Sequence, residues 1–143
     1  MDARRRRVLR AAAALALAAG AGAPLAQDGR TSTVQAAARD WLALADRGDG
    51  GATWDATGKK FRDAITRERW TEALAAVRNP LGAVTQRSVL STTFRKSVPG
   101  APDGEYVTVL FRTSFAGKTD GGETVTLEHE ADGAWRVVGY FIQ

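Results

Sequence analysis

The sequence predicts an α+β domain in which N-terminal helices pack on a four-stranded antiparallel meander sheet, in a cone-like arrangement. Two observations predict this fold class. Between Val34 and Val77, apolar residues recur every three or four positions, which is typical of amphipathic helices. From Ala83 onward the apolar period falls to two, which is typical of strands, and short turn sequences separate the apolar segments.

The first 26 residues have the order of a secretory signal peptide, so a single domain is predicted over residues 27–143. Five arginines precede an apolar run at residues 11–19, and a stretch of small residues ends near Ala26. Cleavage after Ala26 is favoured, because an earlier cut would leave Pro24 as the first residue. Residues 5–10 also resemble a twin-arginine signal, which leaves two export routes open. We therefore expect a periplasmic or secreted protein.

Charge and cysteine content exclude several classes of function. The chain carries 20 Lys and Arg against 16 Asp and Glu; five Arg and one Asp lie in residues 1–26, so residues 27–143 hold 15 of each sign. This balance gives no basis for nucleic-acid binding, which depends on clustered cations. The chain has no Cys, which excludes disulfides and thiolate ligands. We expect no metal, no cofactor, no nucleic-acid partner and, after signal removal, no membrane association.

Three helical pieces are predicted in the first part of the domain. The first follows a loose tether at residues 27–30, has candidate N-caps in Thr31 and Ser32, and ends at the glycine-rich residues 48–51. A second piece contains Phe61 and Ile65, after a short segment centred on Trp54. The third begins at the candidate N-cap Thr66 and ends at Asn79-Pro80. The apolar faces of the first and third pieces carry Val34, Ala37, Trp41 and Leu44, and Trp70, Leu74 and Val77, respectively.

Four strands are predicted in the second part. A weakly patterned strand at residues 84–94 leads through a turn at residues 99–104 to a strand that carries Val107, Val109, Phe111 and Phe115 on one face. After a loop at residues 117–122, a third strand carries Val125, Leu127 and His129. Asp132-Gly133 forms a tight turn to the last strand, residues 135–143. Both faces of this strand are apolar, which predicts a central position in the sheet; the two predicted faces are Trp135, Val137 and Phe141, and Val138, Tyr140 and Ile142.

The sequence from about Trp41 to Ile142 resembles a bacterial family catalogued as domain of unknown function 4019. The resemblance implies an exported, uncharacterised domain and supplies no catalytic or binding residues. The order of elements is also similar to cone-shaped folds of the nuclear-transport-factor-2 (cystatin-like) kind, although such a likeness does not fix a function. The resemblance rests on Trp41, Trp54-Asp55, Phe61, Trp70 to Leu74, residues 78–82, residues 98–106 with 99–106 the most specific, residues 123–126, and residues 132–142 with Trp135 to Tyr140 the most specific.

His129 is the only histidine and a weak candidate for general acid/base catalysis; a buried carboxylate in a pocket is the alternative. A partner carboxylate would have to come from another element, and Asp40, Asp55 and Glu105 are the candidates. The simpler interpretation is an exposed histidine at the end of a strand. Close carboxylate clusters of the kind that bind zinc or calcium are missing from the sequence, and so are a phosphate-binding glycine loop and a Gly-x-Ser-x-Gly elbow.

Tyr106, Arg112 and Tyr140 are the candidate binding residues. Tyr106 and Arg112 share a strand face with Leu110, and Tyr140 lies on the last strand; if the register brings them together, they form an amphipathic binding surface. Two hypotheses follow. The chain is either a non-catalytic exported domain that binds a small ligand, itself or another protein through its sheet or a pocket, or a small isomerase or hydrolase with an acid/base pair in a pocket.

Overall fold

The computed structural model describes residues 25–143, so the predicted signal peptide lies almost entirely outside the described residues. Four helices precede four strands, which confirms the predicted α+β class. Their bounds are α1 Leu25–Asp46, α2 Gly50–Asp55, α3 Lys59–Ala64, α4 Arg67–Leu81, β1 Val84–Arg95, β2 Tyr106–Phe115, β3 Lys118–His129 and β4 Trp135–Ile142.

The four strands form one antiparallel sheet in chain order, β1-β2-β3-β4, as a meander requires. The predicted loop at residues 117–122 is wrong, because β3 already begins at Lys118. Gly121 and Gly122 pair with Thr113 and Arg112 inside the sheet. A Cβ on Gly121 would lie 2.8 Å from the carbonyl oxygen of Thr113, so close strand approach, not a turn, requires this glycine.

The core lies between α1 and one face of the sheet. Of the predicted apolar face of this helix, Val34 and Trp41 are buried, whereas Ala37 and Leu44 are half-buried. The fully buried Ala38 and Leu42 lie in the same core as Val109 and Val125, so the buried face is turned slightly from the predicted one. The helix begins at Leu25, however, so the predicted tether at residues 27–30 and the predicted N-caps Thr31 and Ser32 are wrong. The guanidinium of Arg30 lies 3.9 Å from the ring centroid of Phe94, which packs this first part of α1 on the sheet.

Helix α4 begins as predicted and ends later than predicted. The hydroxyl of Thr66 accepts a hydrogen bond from the Arg69 amide at 3.2 Å, which confirms the N-cap. The helix continues through Pro80 to Leu81, because a proline in the last turn removes only its own N–H and Gly82 closes the turn by donating to Arg78. Its buried face carries Trp70, Leu74 and Arg78, whereas Val77 is 49% exposed.

Strand β4 lies at the edge of the sheet and not at its centre. At its outer edge, Thr57 bridges to Val137 and the Gly58 amide donates to the Val137 carbonyl at 2.8 Å. In β4 the register shifts after Val137, so Tyr140 pairs with Val125 and faces the core, and Phe141 faces away and is 54% exposed. The predicted faces of this strand are therefore wrong beyond Val137, because one extra residue reverses the alternation.

Within residues 25–143, no helix combines the length and the apolar character needed to cross a membrane.

Candidate functional site

The candidate site lies on the face of the sheet opposite α1, which we call the outer face. Because side chains alternate along a strand, Val107, Val109 and Phe111 face the core, and Thr108 and Leu110 face outward. The antiparallel register aligns outward residues into rows across the strands. One row, which we call the threonine row, consists of Thr93, Thr108, Thr126 and Gly139 on β1 to β4.

A groove of about 660 Å³ lies over this part of the outer face. Its floor contains Thr108, Thr126 and Gly139 of the threonine row, together with Thr124 of the next row. Gly139 has no side chain, so this end of the row is open. A Cβ added to Gly139 would contact Thr126, at 3.6 Å. Apolar and small side chains from helix α3, the β1–β2 loop and β4 form the walls: Phe61, Ala64, Val98, Pro99, Val138 and Phe141.

The floor offers hydroxyl groups that have no side-chain partner among the described residues. Among residues 25–143, the hydroxyls of Thr108, Thr124 and Thr126 take part in no side-chain hydrogen bond, whereas those of Thr53, Thr57 and Thr113 are all bonded. Thr108 and Thr126 are half-buried and Thr124 is 7% exposed. A hydroxyl that water reaches bonds water, and a ligand that replaces this water must offer a donor or an acceptor. The groove therefore combines apolar walls with polar anchors on its floor, as small-molecule sites do.

One end of the groove is charged. There the Lys60 ammonium donates to the Tyr106 hydroxyl at 3.2 Å and pairs with the Glu128 carboxylate. The hydrogen bond to Glu128, and then that to Tyr106, raise the pKa of Lys60, so this amine is charged at neutral pH. Arg95 also lines this end, is exposed, and makes no ion pair within the described part of the chain.

The predicted catalytic candidate, His129, lies elsewhere. Its Nδ1 is 2.7 Å from a carboxylate oxygen of Glu105, its Nε2 is 3.1 Å from the Gly133 carbonyl oxygen, and its ring stacks on Trp135 at a centroid distance of 4.8 Å. The side chain is 36% exposed and is not among those that line the groove. Glu105 is thus the partner among the three candidates.

The other two candidate partners of His129 have different surroundings. Asp55 receives two hydrogen bonds from Arg67, at 3.0 and 3.1 Å. Asp40 is exposed beside a second cleft between α1 and β4. Among residues 25–143, no three acidic or histidine side chains gather as a metal site.

The structure does not bring the three candidate binding residues onto one surface. Tyr106 lines the groove but is fully buried, with its hydroxyl donating to the Pro102 carbonyl at 2.6 Å. Arg112 is an exposed residue of the outer face, two rows beyond the threonine row. Tyr140 faces the core on the other side of the sheet, because of the register shift after Val137.

On the core side, Tyr140 belongs to a largely buried ionic network that was not predicted from the sequence. Glu123 is fully buried; one of its oxygens accepts hydrogen bonds from Arg87 at 2.7 Å and Thr113 at 2.5 Å, and the other accepts one from Tyr140. Arg87 and Arg78 both donate to Asp46, at 2.7 Å. These residues come from α1, α4 and all four strands, so the network connects six of the eight elements.

The pKa shifts in this network follow from burial and pairing. Burial acts to raise the pKa of Asp46, but the hydrogen bonds from Arg87 and Arg78 outweigh it and hold the pKa below its ordinary value. Burial, and next the charge of Glu123, raise the pKa of Tyr140. One signal could have located the network in the sequence: Glu123 shares the parity of Val125 and Leu127, which places it on the core face.

The comparisons with known proteins give a family and a fold. The sequence model of a protein family of unknown function, DUF4019, matches residues 37–140, most of the chain. The chain belongs to this family. The resemblance to the family is thus confirmed, while the similarity to folds of the nuclear-transport-factor-2 kind stays a prediction. No curated protein matches this DUF4019 chain.

Two solved structures of proteins from Catenulispora acidiphila are similar to this DUF4019 chain. The first, solved at 2.5 Å, has 15% sequence identity and a TM-score of 0.53, and the match covers 82% of this chain and 93% of the other. The second, solved at 2.35 Å in complex with S-DNPA, has 18% identity and a TM-score of 0.48, with 81% and 93% covered. At this level of identity, the first structure supports the fold and carries no statement about function.

Proposed function

We propose that the protein is an exported, non-catalytic domain that binds a small amphipathic ligand in the outer-face groove. The observation that carries this proposal is a set of three hydroxyls at the floor of a groove with apolar walls, those of Thr108, Thr124 and Thr126, which bond no other side chain within residues 25–143. The volume of about 660 Å³ lies within the range of small-molecule sites, roughly 300–1,000 Å³.

Gly139 and Phe141 give the groove its shape on β4. Gly139 leaves the end of the threonine row empty, and Phe141, which is 54% exposed, presents an aromatic surface to whatever lies in the groove. An aromatic side chain this exposed loses contact with water when a ligand packs on it, and that transfer favours binding.

The acid/base alternative gains no support from the geometry of His129. Its nearest carboxylate, Glu105, is 59% exposed, and both groups lie at the surface, apart from the groove. The Lys60 amine, which does line the groove, is held in its charged form by Glu128 and would be a poor base. Ligand binding therefore accounts for the groove better than proton transfer does.

The binding proposal is tested with N-phenyl-1-naphthylamine, an uncharged apolar probe whose fluorescence rises when it leaves water. We expect saturable binding to the purified protein and loss of that binding in Gly139→Val, which fills the groove. Gly122→Val is the matched control, because Gly122 lies on the same face and does not line the groove. Absence of saturable binding, or equal binding by Gly139→Val and the control, would contradict the proposal.

Export is a separate part of the proposal and rests on residues 1–26. We expect the full chain, expressed in a Gram-negative bacterium, to be recovered from the periplasm with Gln27 as its first residue. Replacing Arg5, Arg6 and Arg7 with lysine distinguishes the routes, because the twin-arginine route requires arginine. Full-length protein that stays in the cytoplasm would overturn this part.

A further inference from the structure

Resting on the proposed function, we propose further that the groove selects amphipathic ligands with a carboxylate group, and that Arg95 binds the carboxylate. Arg95 is the second cation at the charged end of the groove, beside Lys60. The two cations differ in whether a carboxylate of the protein already neutralises their charge.

The positive charge of Lys60 is compensated. Its ammonium pairs with Glu128, whose side chain is only 12% exposed. Arg95 lies in the same row of the sheet, opposite Tyr106 on β2, with Glu128 next along that row on β3. Tyr106 separates Arg95 from Glu128, and within residues 25–143 Arg95 makes no ion pair. The charged end of the groove therefore has a net positive charge that a ligand can neutralise.

Nearby acidic groups leave this charge in place. Glu105, the residue before β2, contacts His129, and Glu130 accepts a hydrogen bond from Arg136 at 2.8 Å. Neither Glu105 nor Glu130 lines the groove. An anion that enters the groove thus meets the Arg95 guanidinium without a competing carboxylate on its lining.

The guanidinium geometry favours a carboxylate. Its planar fork of N–H donors matches the two oxygens of one carboxylate, and a single uncompensated positive charge matches a single negative charge. The apolar part of the ligand would extend over the threonine row toward Val138 and Phe141 on β4. Arg95 and β4 are three strand spacings apart, roughly 14 Å, which suits a medium-chain fatty acid or an aromatic acid of similar length.

The experiment measures how well decanoate and decanol displace N-phenyl-1-naphthylamine, because these ligands share a chain and differ in the charged group. We expect Arg95→Gln to weaken displacement by decanoate about fivefold, the size of one partly exposed ion pair, and to change displacement by decanol less than about twofold. Arg69→Gln is the control, since Arg69 is an exposed residue of α4 away from the groove, and it should change neither. Raising the salt concentration should weaken displacement of the probe by decanoate and leave displacement by decanol unchanged.

The outcomes separate this inference from the proposed function. If the probe binds saturably and Gly139→Val abolishes binding, but Arg95→Gln affects decanoate and decanol equally or affects neither, the carboxylate inference is overturned and the groove remains a binding site. If the probe does not bind, the proposed function fails, and the inference fails with it.

Discussion

At the scale of single residues, Glu123 is a fully buried carboxylate in the core. A fully buried carboxylate is costly unless hydrogen bonds and opposite charges replace its water. Arg87, Thr113 and Tyr140 supply three hydrogen bonds, and Arg78 lies 3.9 Å from its second oxygen. If the carboxylate lost its charge, the buried Arg78 and the largely buried Arg87 would have Asp46 as their one remaining ionic partner among the described residues.

The variant Glu123→Gln tests this role with little change in shape. We expect it to lower the free energy of unfolding by about 3–5 kcal/mol, because it removes the charge of one carboxylate from a largely buried ionic network and leaves Asp46 alone to compensate two arginines. Urea denaturation followed by tryptophan fluorescence measures the change. Glu72→Gln, at an exposed position of α4, should stay within about 0.5 kcal/mol of the natural protein. A loss below about 1 kcal/mol for Glu123→Gln would mean that the network is not stabilising.

The sequence allowed some of these residue environments to be predicted and not others. Glu105 was one of three candidate partners of His129, chosen because the partner had to come from another element; the sequence did not distinguish it from Asp40 and Asp55. The burial of Glu123 was not predicted, because Gly121 and Gly122 indicated a loop at residues 117–122. The strand β3 in fact begins at Lys118. A glycine required by close strand pairing has the same sequence signal as a glycine required by a turn.

At the scale of elements, β2 and β4 show when alternation can be trusted. The alternation of β2 was predicted correctly, since its core-facing residues lie between two paired strands and its register is regular from Tyr106 to Thr113. In β4 both faces are apolar, so the pattern could not show where an extra residue reverses them. Val137, next to the extra residue, also bridges to Thr57 outside the sheet, a contact that the sequence of the strand does not reveal.

Two variants of β4 distinguish the observed faces from regular alternation. Val137→Ala should lower the free energy of unfolding by about 2 kcal/mol, because it removes methyl groups from a side chain that is 2% exposed. Phe141→Ala should cost about 1 kcal/mol or less, because half of that ring is already in water. Both are measured by urea denaturation. A larger loss of stability for Phe141→Ala than for Val137→Ala would contradict the observed faces and favour regular alternation along β4.

At the scale of the whole molecule, the two faces of the sheet have different surroundings. The core face packs on α1 and holds the ionic network, both of which stabilise the fold. The outer face forms the floor of the groove. The order of helices and strands could be predicted from the change of period near residue 83. The groove could not, because it depends on the register that aligns Thr108, Thr126 and Gly139 and on the position of α3.

The response of the molecule to alkali depends on Tyr140. Burial raises its pKa in the folded state, whereas in the unfolded chain a tyrosine loses its proton near pH 10. Its contribution to stability is therefore complete below about pH 10 and is lost as the pH rises toward the folded-state value. We expect Tyr140→Phe to reduce the decline in the free energy of unfolding between about pH 10 and 11, measured by urea denaturation. Equal slopes for both proteins would contradict this assignment.

The response to acid depends on the carboxylates whose folded-state pKa is lowered. In Asp46 the hydrogen bonds from Arg87 and Arg78 outweigh burial, and in Asp132 the hydrogen bond from Arg136 lowers the pKa to about 2. In the unfolded chain an aspartate titrates near pH 3.9, so these two groups stabilise the fold above about pH 4, and this contribution is lost as the pH falls through the folded-state values. The free energy of unfolding should therefore decline from about pH 4 to pH 2, and Asp46→Asn, although less stable at neutral pH, should decline less steeply. Urea denaturation at closely spaced pH values measures both slopes. A variant that declines as steeply as the natural protein would show that proton uptake by Asp46 does not couple the network to unfolding.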